Sequence, residues 1–289
     1  MRKRHITINT IITDILLVMF LIFVLVPFFM VVFTAFKTAP EINDMPNRSL
    51  WRRIRPDSFL NLENFKAVLN GSAKQLNGVP FTNFIVNSLI VTIVSLFPAL
   101  FLALTAAYGF AKFEFPGRKI CFYAFLGLVM VPMEMISIPL FMTVSRMHLV
   151  NTYVGIMIPS FISAFGTLLC KEAMEPIPDS YIEAGRIDGA GEFVIFSKLI
   201  VPMISGAIVT FVVIKSTWCW NEFFWPYLVV SEEKMKTITL GLSKFSNDLF
   251  KEYGQLNAAV LISILPLFIV FILGNKQIKN GLMHNGVKG

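Results

Sequence analysis

The sequence predicts an all-α membrane protein, a polytopic bundle of six transmembrane helices. Two observations carry that reading. Of 289 residues, 55% are hydrophobic and only 15% charged, against about 25% charged in an ordinary soluble domain. The apolar residues are also gathered into long blocks, and mean hydropathy is +0.69. A soluble enzyme, a disordered chain and a disulfide scaffold are all excluded by that balance.

Crossing a bilayer as helix takes about 20 apolar residues, because lipid offers the backbone no hydrogen-bond partner. Six stretches qualify, at about 11–36, 84–111, 120–145, 149–170, 199–230 and 253–275. The third carries one charge, Glu134, and the fifth carries Lys215 and Glu222. The first follows Arg2, Lys3 and Arg4. It outruns the ~7–15 residues of a signal peptide's apolar region and no small-residue cleavage site follows it, so it reads as an uncleaved helix.

Net charge is +7, but the basic residues sit between spans with no interleaved aromatic run. They fit membrane-lipid contact and not nucleic acid. Cys121, Cys170 and Cys219 have no metal-ligand or redox spacing, and His5, His148 and His284 are isolated. Neither a metal site nor a catalytic residue is expected. No phosphate-binding loop of the G-x-x-x-x-G-K-[ST] type occurs, so this chain holds no ATP in that way and binds no cofactor.

Orientation follows from the distribution of Lys and Arg. An inside N-terminus makes 1–10, 112–119, 171–198 and 276–289 cytoplasmic, each with three basic residues. The outer loops then carry as many in total. The Arg2–Arg4 cluster decides for both termini inside. The outer loop 37–83 contains Trp51, Arg52, Arg53 and Arg55, then an amphipathic stretch at Leu62–Leu69. That stretch predicts a short surface helix, either a lid over helix ends or a docking face.

The loop 171–198 is the most structured of the connections. Pro176 and Pro178 stop the preceding helix. Ser180 and Glu183 are spaced for a capping box, opening a helix from Tyr181 to about Asp188. Gly189 and Gly191 permit a sharp turn, and a second helix leads to Pro202. Tyr181, Ile182, Ala184 and Ile187 form an apolar strip, which either packs on neighbouring helix ends or meets a partner. Glu183 and Arg186 are spaced to pair.

Glu183-Ala184-Gly185, three residues, Gly189, nine residues, then Leu199-Ile200-Val201-Pro202 resembles the EAA motif of binding-protein-dependent ABC transporter permeases. The family pattern is E-A-A, three residues, G, nine residues, I-x-L-P. Gly185, Leu199 and Val201 depart from it by small or apolar exchanges. Tyr108-Gly-Phe-Ala-Lys112 with Phe115-Pro-Gly-Arg118, Pro132, Ile138-Pro139, Trp220-Asn221 and Trp225-Pro226 resemble other parts of the family. The tail Gly281-Leu282 and Val287-Lys288-Gly289 is similar to that of the maltose-type second permease.

The resemblance implies the type I importer permease architecture and a carbohydrate importer in a bacterial or archaeal inner membrane. Its partners would be a second permease, two ATP-binding cassette subunits that use the ATP, and an extracytoplasmic solute-binding protein. Glu183, Ala184, Gly185, Arg186, Asp188, Gly189 and Pro202 would form the ATPase-coupling segment. Other cargoes (oligopeptide, polyamine, glycerol-phosphate) and a stand-alone secondary transporter are the alternatives.

Polar residues within spans are rare and often functional. Trp218, Trp220, Asn221, Glu222 and Trp225, with Glu134, are candidates for a substrate pathway, since aromatic faces and hydrogen-bonding groups suit a sugar. The tryptophans equally fit an interfacial belt, and Asn221 with Glu222 could cap a helix kinked at Pro226. Lys215 could pair with Glu134 or snorkel. Pro27, Pro98, Pro132, Pro139, Pro159, Pro202 and Pro266 are expected to kink or break their helices.

Overall fold

The computed structural model describes residues 8–47, 49–246 and 252–285. The Arg2–Arg4 cluster and Val287–Gly289 lie outside the described residues. In chain order the helices are α1 (Ile8–Ala35), α2 (Ala39–Asn43), α3 (Leu50–Ile54), α4 (Glu63–Leu69) and α5 (Phe81–Lys112). Next come α6 (Arg118–Gly127), α7 (Met133–Arg146), α8 (Tyr153–Met157), α9 (Ala164–Met174) and α10 (Ser180–Ile187). Last are α11 (Glu192–Val194), α12 (Val201–Met203), α13 (Ser205–Asn221), α14 (Phe224–Val229), α15 (Ile238–Ser243) and α16 (Tyr253–Asn285).

Among the described residues three helices are each long and apolar enough to span a bilayer: Ile11–Ala35, Phe81–Lys112 and Tyr253–Gly274. Three further candidates are bent pairs: Arg118–Met130 with Met133–Arg146 at 95°, Tyr153–Phe161 with Ala164–Met174 at 41°, and Glu192–Met203 with Ser205–Asn221 at 79°. Counting each pair as one span gives six, and the stretches at 120–145, 149–170 and 199–230 each contain one of these breaks. Each break has a proline at it or within a few residues before it, Pro132, Pro159 or Pro202. A proline withholds an amide and its ring crowds the preceding turn. Pro27, Pro98, Pro139 and Pro266 stay inside their helices. The fifth candidate also stops at Asn221 and restarts at Phe224.

The chain divides into two compact units. The first comprises residues 1–81 and 242–264. Its α1 exposes Ile15, Phe20 and Phe23, each more than half accessible, as suits a helix solvated by hydrocarbon. After α1 a capping box does form, with Thr38 and Glu41 satisfying each other's amides ahead of α2. Glu41 also accepts from the Asp57 amide at 2.7 Å. The Lys37 ammonium donates to the Arg53 carbonyl. Asn64 of α4 donates to the carbonyls of Ala35 and Lys37 at 2.9 and 2.7 Å. Phe36 sits between the rings of Phe59 and Phe65. The amphipathic stretch is therefore a helix that closes over the end of α1, with Val68 buried.

The second unit comprises residues 82–241 and 265–289. Its core gathers Leu104, Ala107 and Tyr108 of α5, Cys170 and Met174 of α9, Ile182 of α10, and Ile195 and Ile200. A second cluster packs Ala99 and Ala103 of α5 on Phe211 of α13. Gly166 makes that approach feasible, because a Cβ there would lie 2.3 Å from the Phe211 ring. Asn87 of α5 takes a hydrogen bond from the Tyr153 hydroxyl and donates to the carbonyls of Lys234 and Lys236.

Candidate functional site

The 171–198 loop is built by α9, α10 and the segment from α11 onward. Beyond Met174 the chain passes Pro176 and Pro178, and α10 begins at Ser180 with Asp179 as N-cap. The Ser180–Glu183 capping box is not formed: the helix starts one residue earlier, and no side chain caps it. The Asp179 carboxylate is instead engaged by Lys112, 2.8 Å away at the end of α5. Lys112 also donates to the carbonyls of Ile177 and, at 3.5 Å, Glu175. Its side chain is only 4% exposed. The hydrogen bond and charge of Lys112 hold the Asp179 carboxyl below its ordinary range.

At its other end α10 closes with Gly189 at φ +79°. The Gly189 amide bonds the Arg186 carbonyl and the Ala190 amide bonds the Gly185 carbonyl, at 3.0 and 2.9 Å, the paired pattern of a Schellman cap. Gly191 has an ordinary negative φ, −71°, so the turn depends on Gly189 alone. Arg186 does not pair with Glu183. Its guanidinium binds Glu192 at 2.6 Å, and the other Glu192 oxygen accepts from the Tyr108 hydroxyl at 3.2 Å. The chain reversal at Gly189 brings Glu192 within reach, whereas Glu183 stays on the outer face.

Burial divides the apolar strip. Ile182 is 4% exposed, while Tyr181 and Ile187 are 48% and 86% exposed. Ile182 is thus corrected from the exposed strip to the core. Gly185 faces inward, where a Cβ would meet Ile195 Cγ1 at 3.1 Å. Glu183, Ala184 and Asp188 face outward, joined by Phe193, 71% exposed. Pro202 does not join this face. It lies in α12 after a π-helical stretch, Ile195–Ile200, and immediately before the 79° bend. There it shapes the backbone, because its missing amide cannot continue the ladder.

The pathway candidates separate as well. A cavity of about 270 Å³ is lined by Met133, Ile156, Pro159, Ser160, Lys215, Trp218, Cys219, Glu222 and Trp225. Glu222 and Trp225 therefore share a wall. Trp220 is buried at 3% exposure, Asn221 donates to the Thr217 carbonyl, and Glu134 is exposed at the start of α7; none of these three lines it. Trp225 is itself fixed, its indole donating to the Gly155 carbonyl at 3.0 Å. Glu222 caps α14 by accepting from the Trp225 amide at 3.2 Å. No Lys215–Glu134 pair is formed; the charged neighbour of Lys215 is Glu222. Lys215, Trp218, Cys219 and Glu222 fall at i, i+3, i+4 and i+7. That periodicity is legible in the sequence and separates the cavity wall from Trp220 and Asn221.

Residues 99–277 match the family described as binding-protein-dependent transport system inner membrane component. The chain belongs to this family. It is accordingly a multi-pass membrane component of a transporter, not an enzyme in itself, and works with other components of an ABC importer. The arabinooligosaccharides transport system permease protein AraQ of Bacillus subtilis is 29% identical over 230 residues, 80% of each chain. The probable ABC transporter permease protein YurM of the same organism is 28% identical over 275 residues, 94% of this chain and 87% of YurM. The sn-glycerol-3-phosphate transport system permease protein UgpE of Brucella abortus is 26% identical over 225 residues, 77% of this chain and 80% of UgpE. A chain from the crystal structure of a bacterial ABC transporter involved in the import of the acidic polysaccharide alginate superposes with a TM-score of 0.80 at 21% identity. It covers 96% of this permease and 98% of its own length. The inner membrane component fold of this chain is thus the fold of that importer subunit.

Proposed function

We propose that this permease is one of two membrane subunits of an ATP-driven carbohydrate importer and forms half of its translocation pathway. Similarity to the arabinooligosaccharide permease AraQ supports a sugar cargo. Similarity to UgpE, named for sn-glycerol-3-phosphate, favours a second reading in which the cargo is a polyol phosphate. In the first reading a second permease completes the pathway, two ATP-binding cassette subunits dock on the cytoplasmic side, and an extracytoplasmic binding protein delivers the sugar.

The observation that carries the coupling role is the outward face of α10. Tyr181 and Ile187 are exposed apolar side chains beside Glu183 and Ala184, on a helix whose two ends are tied to α5. A helix held that firmly transmits a push as a body and does not absorb it. In this reading Glu183 meets a basic residue of the ATPase, Gly189 sets the turn, and both chain termini are cytoplasmic.

The test is site-directed cross-linking in the assembled transporter. Cysteine at Ala184 or Ile187 is expected to capture an ATPase subunit, with the α10 loop labelled only from the cytoplasmic side. Gly189→Asp is expected to insert normally yet abolish substrate-stimulated ATP hydrolysis. Labelling of the loop from outside, or stimulation retained in Gly189→Asp, would overturn the assignment. Sugar uptake by this chain alone in ATP-free vesicles would favour a secondary transporter.

A further inference from the structure

The cavity on α13 contains a charge that the coupling role leaves unused. Lys215 is only 7% exposed and forms part of the cavity wall, yet no hydrogen bond or ion pair joins it to another described residue. Glu222 contributes to the same wall and is the charged neighbour of Lys215; one of its oxygens accepts from the Trp225 amide, and no salt bridge joins it to Lys215. An ammonium largely withdrawn into a spanning segment without a hydrogen-bond partner of its own is disfavoured. A methionine or leucine would fill the same space more cheaply. An ionisable residue within a spanning segment that faces a cavity is therefore a functional candidate.

The remaining wall defines the complement. Trp218 is half exposed with its ring edge-on to Phe165, centroids 5.3 Å apart. An indole face suits the C–H surface of a sugar ring. Ser160 and Glu222 add hydroxyl and carboxylate groups for sugar hydroxyls, and about 270 Å³ admits a single pyranose ring. A neutral sugar would satisfy the tryptophan and offer the ammonium hydroxyl oxygens but no opposite charge. We propose that this cavity is a transit site for a sugar bearing an anionic group, a carboxylate or a phosphate, which Lys215 contacts while Trp218 faces the ring. The inference rests on the importer reading and specifies its cargo.

Cys219 lies on the same wall and reports on the site directly. In the assembled transporter in vesicles, with Cys121→Ser as background and Cys219→Ser as control, labelling is compared for an anionic and a cationic methanethiosulfonate. The anionic reagent is expected to react about tenfold faster relative to the cationic one when Lys215 is present. Lys215→Met should abolish that preference and Lys215→Arg retain it. Cellobiouronic acid is expected to protect Cys219 at lower concentration than cellobiose, which differs by one carboxylate, and Lys215→Met should equalise them.

Equal protection by both disaccharides in the parent protein overturns the anionic inference and leaves the sugar importer standing. Protection by glycerol 3-phosphate or inorganic phosphate alone, with neither disaccharide effective, overturns the sugar reading and the Trp218 contact together. It would leave Lys215 as an anion contact for a phosphate cargo. Absence of labelling by either reagent, both without nucleotide and with ATP and vanadate, shows that the cavity is off the aqueous route and overturns the site.

Discussion

Tyr108 and Lys112 lie four residues apart on α5, and between them they hold both ends of α10. Lys112 binds Asp179 at the N-terminus of that helix at 2.8 Å. Tyr108 reaches Glu192, which in turn binds Arg186 in its last turn. Residues at i and i+4 share one face of a helix, so a single turn of a candidate spanning helix carries two attachment points for the loop helix. In the proposed coupling role, these two contacts are where a displacement of α10 would reach α5.

Lys112→Met is expected to loosen the start of α10 without impairing insertion. It forfeits a charge-assisted bond to the Ile177 carbonyl, a class worth about 1.5–3 kcal/mol. Amide exchange across residues 177–183 should accelerate at least tenfold in the purified protein. Exchange unchanged from wild type would show that the prolines alone order this segment.

The Lys112–Asp179 tie should depend on pH with a definite sign. Its carboxyl pKa is lowered in the folded protein, so the contribution is present above the unfolded value and is lost as pH falls through the folded one. Amide protection at the start of α10, corrected for intrinsic exchange, is therefore expected to hold at neutral pH and fall below about pH 4. Asp179→Asn should remove that acid dependence.

At the other end of α10, Tyr108→Phe and Arg186→Ala should differ in consequence. Arg186 and Glu192 are each about half exposed, so their pair is expected to contribute about 0–1 kcal/mol in a double-mutant cycle. Tyr108 is 7% exposed, and losing its hydroxyl should cost about 1 kcal/mol. Thermal unfolding of these two variants, of Glu192→Gln and of the two double variants with Glu192→Gln measures both. A larger coupling for Arg186 than for Tyr108 would reverse the ranking.

Gly189→Ala is expected to destabilise the loop by about 1–2 kcal/mol through its left-handed backbone alone. Space is not the obstacle, since a Cβ there meets nothing within 4 Å. Gly189→Asn should be tolerated better than Gly189→Val, because asparagine enters that region more readily. Equal losses for all three would point to a steric cause instead.

Gly166→Ala is expected to cost about 1–3 kcal/mol by forcing the Phe211 ring aside. Phe211→Leu in the same chain should recover part of that loss, seen as a partial return of the melting temperature. Additive losses would place the strain elsewhere.

The cavity stripe at 215, 218, 219 and 222 was available in the sequence as helical periodicity. Residue type alone picks out Trp218, Glu222 and Trp225 on the wall together with Trp220 and Asn221 off it. Lys215 and Glu134 are both charges within spans, which makes them candidates to pair. Their separation was invisible because the 95° break at Pro132 decides where Glu134 goes. Helical spacing pairs Arg186 with Glu183, a local rule that Glu192 overrides once Gly189 has reversed the chain.

Apolar runs too long for a soluble core determined from the sequence alone that this is a helical membrane protein. The motif from Glu183 to Pro202 carried the resemblance to its family, which the match over residues 99–277 shows. Hydrophobicity and motif spacing are properties of the chain read along its length, so no folding was needed to read them. Only the tertiary structure decided which spans bend, which carboxylate each cation meets, and which side of α13 opens onto a cavity. Those outcomes depend on contacts between residues far apart in the chain, such as Lys112 with Asp179 and Tyr108 with Glu192, and on backbone bends that redirect everything after them.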